Sequence, residues 1–311
     1  MPSVGLIAIE SMSQSHSPEN AKRRRLRPLL IRLFMVGALG YGLGSYWLSS
    51  VLLELQERVV SKAGVPGLER SIRATADGTA ILIWSGEPAG KSKGCVLLFH
   101  SRGSAHSVER MLWLRKQGFS VFAPDFRAHG ESTGEISTFG WKEQEEVRLT
   151  LALARSMHPD LPVAAWGRSL GSAAILFATP ETSELDGVIL ESTYSTLERA
   201  FANRFKPYFP NWLFPLTIGP IYVAEWRAGF DVDQIQPIKQ LQHFRPERVL
   251  LVRGELDWRI HAVEHVNMLA ALPGATGLVL HGAGHDELFE SGGEDYRDHL
   301  LSHLNRWLHG E

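Results

Sequence analysis

A mostly parallel sheet with helices on both faces is expected from three features of this chain. From about residue 71 onward, short apolar runs alternate with longer helical stretches, the pattern of strands joined by crossover helices. Several runs, Cys95–Phe99 and Val163–Trp166 among them, are apolar throughout, as strands covered on both faces are. The second of these leads into Gly167-Arg168-Ser169-Leu170-Gly171 and then Ser172-Ala173-Ala174, which reads as strand, sharp turn and helix start.

Two early strands are expected near Ser71–Thr75 and Thr79–Ser85, joined by a hairpin turn at Asp77-Gly78. Further strands are expected at Cys95–Phe99, Ser120–Ala123, Val163–Trp166, Val188–Leu190, Val249–Val252 and Leu278–Leu280, eight in all. Helices fit Val108–Gln117, Trp141–Ser156, Leu170–Ala178, Ala262–Leu272 and Tyr296–Leu308. Residues 194–243 break the alternation. They hold Phe201, Phe205, Tyr208, Phe209, Trp212, Phe214, Tyr222 and Trp226 among several prolines, and a small helical lid is expected there. Its aromatics either line an apolar acyl pocket or pack the lid onto the sheet. In a third reading, Tyr208, Phe209, Trp212 and Phe214 dip into a bilayer surface.

The serine turn carries the chemistry. A G-x-S-x-G turn holds its serine in a strained conformation with the hydroxyl clear of the sheet, so Ser169 is the candidate nucleophile. The alternative is a glycine-rich turn whose serine only caps the helix. A serine hydroxyl needs a base, and the base an orienting acid. Both are available downstream. Asp257 follows the strand at Val249 in a loop where ligands collect in such sheets, and it is preferred over Glu191, Glu255 and Asp286. His285 lies between glycines beyond the last strand, whereas its rival His281 continues that strand. The backbone N–H groups of Leu170 and of Arg102, in the loop after Cys95–Phe99, are expected to form an oxyanion hole. His100 is expected to shape that loop, and Glu191 to bond to nearby backbone.

These motifs resemble the α/β-hydrolase superfamily, and within it small-lid serine hydrolases related to serine aminopeptidases and monoacylglycerol lipases. The resemblance rests on four motifs in order: His100-Ser101-Arg102-Gly103, Asp125-Phe126-Arg127-Ala128-His129-Gly130-Glu131-Ser132, the turn around Ser169, and the pair Asp257 and His285. Two positions depart from the family pattern, Ser101 and Ala128, where glycine is frequent. The resemblance implies an α/β-hydrolase fold in which Asp125 and its neighbours are structural. The reaction expected is hydrolysis of carboxylic esters, including lipid or acylglycerol esters, through an acyl-enzyme. Peptide or amide cleavage and acyl transfer use the same residues, and a non-catalytic scaffold at a membrane is the remaining alternative. No cofactor is expected.

The N-terminal segment stands apart from that domain. A basic block, Lys22 to Arg27, precedes 21 residues from Leu33 to Leu53 without a charged side chain. As a helix these span roughly 30 Å, the thickness of a hydrocarbon core. The reading is a disordered basic tail over 1–28, a transmembrane anchor over 29–53, a linker over 54–69 and an α/β-hydrolase domain over 70–311. A signal peptide cleaved near Ala38-Leu39-Gly40 is the rival. Positive charge before the span places its amino end in the cytoplasm and the domain on the other side.

Of 32 Lys/Arg and 34 Asp/Glu, six and two fall in the first 50 residues, leaving 26 and 32 beyond them, a net −6. That mildly acidic balance gives nucleic acid no footprint. Cys95 is the only cysteine, so no intrachain disulfide can form, and no cluster has the spacing of a metal site. The expected partners are a small-molecule or lipid ester and, through the anchor, a membrane.

Overall fold

Eight strands form one sheet in the order β1-β2-β4-β3-β5-β6-β7-β8. They are β1 (Glu69–Ala74), β2 (Ala80–Gly86), β3 (Cys95–Phe99), β4 (Ser120–Pro124), β5 (Val163–Arg168), β6 (Gly187–Glu191), β7 (Val249–Gly254) and β8 (Thr276–Leu280). Each expected strand is present. β1 and β2 form an antiparallel hairpin and β2 runs antiparallel to β4; every later pairing is parallel. The computed structural model describes residues 18–54, 64–206 and 210–309. The expectations for the tail before residue 18, for the linker across 55–63 and for Tyr208 and Phe209 lie outside the described residues, as does the side chain of Phe214.

The strand residues sort between two cores by their alternation, because successive side chains leave opposite faces. Leu97 and Phe99 of β3, Val163 and Ala165 of β5, and Val249 and Leu251 of β7 join one core. Val96 and Leu98, Ala164 and Trp166, and Leu250 and Val252 join the other. Helices α3 (Gln144–Met157) and α4 (Leu170–Phe177) contribute to the first core; α2 (Val108–Lys116) and α10 (Gly293–His309) contribute to the second. Two further helices, α8 (Ala262–Ala271) and α9 (Leu288–Ser291), complete the alternation. The helix expected from Trp141 starts at Gln144, because the residues before it form a turn in which the Glu143 carboxylate accepts from Ser137, Thr138 and Gly140.

The segment between β6 and β7 is helical, with α5 (Leu197–Phe205), α6 (Ile218–Ala228), α7 (Pro237–Gln240) and short 3-10 turns. A third core cluster lies under it, containing Phe139, Tyr194, Phe201, Phe205 and Phe230.

At the N-terminus, α1 (Pro18–Leu53) is one continuous helix. Residues 18–28, expected as disordered tail, are therefore helical. Pro18 suits a first helical position, where its missing N–H is no loss, and the Lys, Arg and Leu residues after it favour helix. The stretch Leu26–Leu53 is long and apolar enough to cross a membrane by length and composition. The last turns of α1 pack against α6. Tyr41 Oη donates to the Leu216 carbonyl and accepts from the Gly219 N–H, both at 3.0 Å. Further along both helices, Arg227 donates to the hydroxyls of Ser49 (3.0 Å) and Ser50 (2.7 Å) and to the Glu54 carboxylate at 2.6 Å. The two helices thus run side by side in the same direction.

Candidate active site

The site gathers at the carboxyl ends of the parallel strands, where open α/β sheets bind ligands. Ser169 follows β5 directly, with φ +52° and ψ −108°. That conformation is costly for a residue with a Cβ and survives because the surroundings dictate it. A Cβ on Gly167 would lie 2.6 Å from the carbonyl carbon of Gly171, and one on Gly171 would lie 2.3 Å from the Phe99 carbonyl oxygen. The two glycines are thus required by contact as well as by turn shape. The Ser169 N–H donates to the Glu191 carbonyl at 2.8 Å, and the Ser172 hydroxyl donates to Gly167 at 2.7 Å, which pins both sides of the turn.

The structure brings Ser169, His285 and Asp257 together. His285 Nε2 is 3.1 Å from Ser169 Oγ, and its Nδ1 is 2.7 Å from Asp257 Oδ2. Asp257 is 2% exposed, so its charge is stabilised by the protein rather than by water. Its other oxygen accepts the backbone N–H groups of Arg259 and Ile260, both at 2.9 Å. Burial alone would raise the Asp257 carboxyl, but the bond and charge of His285 with those two N–H donors hold it below the usual range. Two contacts fix the loop of His285. The Ser192 hydroxyl donates to its carbonyl at 3.1 Å, and a Cβ on Gly254 would lie 2.2 Å from the Gly284 carbonyl oxygen. His281, the rival base, has a 90% exposed side chain that pairs with Glu255 and does not line the cleft.

Arg102, Leu170, Ser169 and His285 line one cleft. Neither the Arg102 nor the Leu170 N–H donates to a backbone or side-chain acceptor among the described residues. Both residues thus keep an unengaged N–H while lining the cleft that holds Ser169. The Arg102 side chain is tied elsewhere, donating to the carbonyls of Val51 (3.2 Å) and Glu54 (3.0 Å) at the end of α1. His100 shapes the loop as expected: Nε2 accepts the Phe126 N–H at 3.0 Å, and burial beside His129 lowers its pKa to about 3, keeping it neutral. Asp125 binds His106 Nδ1 at 2.7 Å and the His106 and Glu131 N–H groups, a structural role.

One expectation is corrected, and one open choice is narrowed. Glu191 does not bond to backbone through its side chain; its buried carboxylate accepts from Arg110 Nη1 and Tyr296 Oη, both at 2.7 Å. An arginine carried inward by α2 and a tyrosine carried inward by α10 compensate that charge. The lid aromatics do not line the pocket as a group. Phe201 does, joined by Phe139 and Tyr194, while Phe205 is core. Trp212, in the 3-10 turn before α6, and Tyr222 and Trp226 of α6, which lies against α1, are 77%, 65% and 79% exposed, and none of them lines the cleft.

Residue-by-residue reading missed three arginines. Arg168 braces the site from within the serine turn: one Nη donates to the Asp286 carbonyl and the other to the Ser101 hydroxyl. Arg204 and Arg259 line the cleft. The available signal for Arg204 was helical phase, since it follows Leu197, Ala200 and Phe201 on one face.

Comparison with known proteins bears on the same region. Residues 90–231 match the family of serine aminopeptidases, S33. Lysophosphatidylserine lipase ABHD12 of Gallus gallus is 30% identical over 158 residues, 46% of this chain and 41% of that protein. An uncharacterized membrane protein of Saccharomyces cerevisiae, YNL320W, is 32% identical over 106 residues, 34% of each. The chain therefore spans less than half the length of these curated relatives. Among solved structures, the esterase Pf2001 of Pyrococcus furiosus superimposes with a TM-score of 0.67 at 21% identity, covering 82% of this chain and 98% of that one.

Proposed function

We propose that this chain, which has the fold of the α/β hydrolases, is a membrane-anchored serine hydrolase that cleaves carboxylic esters of lipid-like substrates. The observation that carries the reading is His285, bonded on one side to Ser169 Oγ at 3.1 Å and on the other to Asp257 at 2.7 Å. In this reading neutral His285 donates Nδ1–H to Asp257, leaving the Nε2 lone pair to accept the Ser169 proton as Oγ attacks the acyl carbon. The N–H groups of Leu170 and Arg102 hold the oxyanion. The imidazolium, stabilised by Asp257, returns the proton to the leaving alcohol. Water then attacks the acyl-enzyme by the same route in reverse. Apart from the substrate and the attacking water, every group this cycle uses is a side chain or backbone N–H of this chain.

A lipid-like substrate is supported by the apolar walls of the cleft, Phe139, Leu197, Phe201 and Ile260, and by the lipase among the relatives. Anchoring is supported by the apolar stretch Leu26–Leu53 and by the yeast relative's description as a membrane protein. The division that follows is an anchor ending at Leu53, a linker, and a hydrolase domain from about residue 70. The amino end lies in the cytoplasm, because the basic block precedes the span.

Labelling with a fluorophosphonate probe tests the reading. The wild-type chain is expected to form an adduct on Ser169, and Ser169→Ala to form none. A folded wild-type chain that takes up no probe would refute the serine mechanism.

A further inference from the structure

Three arginines, Arg102, Arg204 and Arg259, line the same cleft as Ser169 and His285. A neutral ester gives no reason for this. Two of the three are engaged within the protein. Arg102 holds the end of α1 and stacks over Phe139, 5.8 Å from the ring centroid. Arg259 Nη1 donates to Asp286 Oδ2 at 2.9 Å.

Arg204 is different. It projects from α5 on the face that also carries Leu197 and Phe201 into the cleft. Among the described residues its guanidinium makes no hydrogen bond or ion pair. Burial and then the neighbouring Arg259 disfavour its protonated form, and the charges of Asp286 and Asp257 offset this only in part. A guanidinium keeps its proton regardless, so the cleft holds a positive charge that the two aspartates offset only in part and that no carboxylate of the described residues pairs directly. The planar, forked guanidinium is the side chain best suited to a phosphate or carboxylate. An apolar wall on one side and a spare guanidinium on the other describe an amphiphilic guest with a charged group.

We infer that the cleft takes an ester bearing an anionic group, a phosphate or a carboxylate, which Arg204 binds with Arg259 beside it. This rests on the reading of Ser169 as nucleophile. Arg204 is then a specificity residue: it selects which ester is held over Ser169 and takes no part in bond making.

Protection of Ser169 from fluorophosphonate labelling tests this in the full chain in nonionic detergent. The protecting probes are dodecyl phosphate, dodecanoate and the neutral dodecanol. In the wild type an anionic probe is expected to protect at a concentration at least tenfold lower than dodecanol does. The more potent of the two anions identifies the group. Arg204→Gln is expected to lose most of that tenfold margin, and Arg204→Lys to keep more of it because the charge remains. Equal protection by all three probes in the wild type would overturn the inference. So would an Arg204→Gln variant that loses protection by dodecanol and by the anions alike, which is the mark of a merely structural role. Absence of labelling without any probe would instead bring down the nucleophile reading, and the inference with it.

Discussion

Asp257 is held by N–H donors of its own loop and by His285 from far along the chain, and the chemistry depends on both contacts. The two N–H donors on Asp257 Oδ1 leave Oδ2 free for His285, so the carboxylate has one orientation. Asp257→Asn keeps the shape but replaces an acceptor by an amide, which favours the wrong imidazole tautomer. In the proposed cycle kcat is expected to fall by about 10⁴, with a much smaller change in KM, as measured on an activated ester. Activity close to wild type would show that another acid orients His285. Glu191 is poorly placed for that, since Arg110 and Tyr296 already occupy its oxygens. Ser169, His285 and the loop carrying Arg102 were legible in the sequence because strand ends and glycine-flanked turns are local patterns. The choice of Asp257 over its neighbours needed the post-strand context. For Arg204 the sequence offered only its helical phase, because what marks it is a guanidinium in the cleft without a bonded carboxylate, and that is a property of space.

Helix α6 turns a face away from the protein. Ile218, Tyr222 and Trp226 recur every fourth residue, lie on one side of the helix and are all exposed. Leu43, Tyr46 and Trp47 of the neighbouring α1 are exposed at the same level. If α1 crosses a bilayer, α6 runs beside its outer turns, and this stripe meets lipid at the depth where tryptophan and tyrosine are favoured. Arg227, bonded to Ser49, Ser50 and Glu54, marks the end nearer water. Reconstitution into vesicles with brominated acyl chains is expected to quench tryptophan fluorescence, and Trp226→Phe to remove a measurable share of the quenched signal. An unchanged quenched fraction in that variant would place the α6 stripe in water. The sequence showed the aromatics of this segment but not their direction, because a lid helix can present its apolar stripe either to a pocket or to a membrane.

The whole molecule carries buried histidines whose charging opposes folding. Burial lowers His265 to about 4, with the Arg253 charge adding to it, and lowers His303 to about 4, with His299 adding to it. His100 falls to about 3. In an unfolded chain each titrates near about 6.5. Between pH 6.5 and 4 the unfolded chain therefore binds more protons than the folded one, and stability falls as pH falls through that window. Thermal melting of His265→Gln is expected to show a shallower loss of Tm between pH 6.5 and 4.5 than the wild type. A slope as steep as wild type would mean that His265 is not held neutral by the fold.

The parallel sheet, its eight strands and the order of Ser169, Asp257 and His285 follow from the chain, because alternation, strand length and turn chemistry are encoded over a few residues each. The apolar stretch before the domain follows in the same way. Tertiary structure decided the rest. It set the pairing of Glu191 with Arg110 and Tyr296, the docking of α6 along α1, the outward face of Trp226 and the spare charge of Arg204. Each of these joins groups far apart in the chain, and their energies come from burial and charge in three dimensions, which no window along the sequence contains.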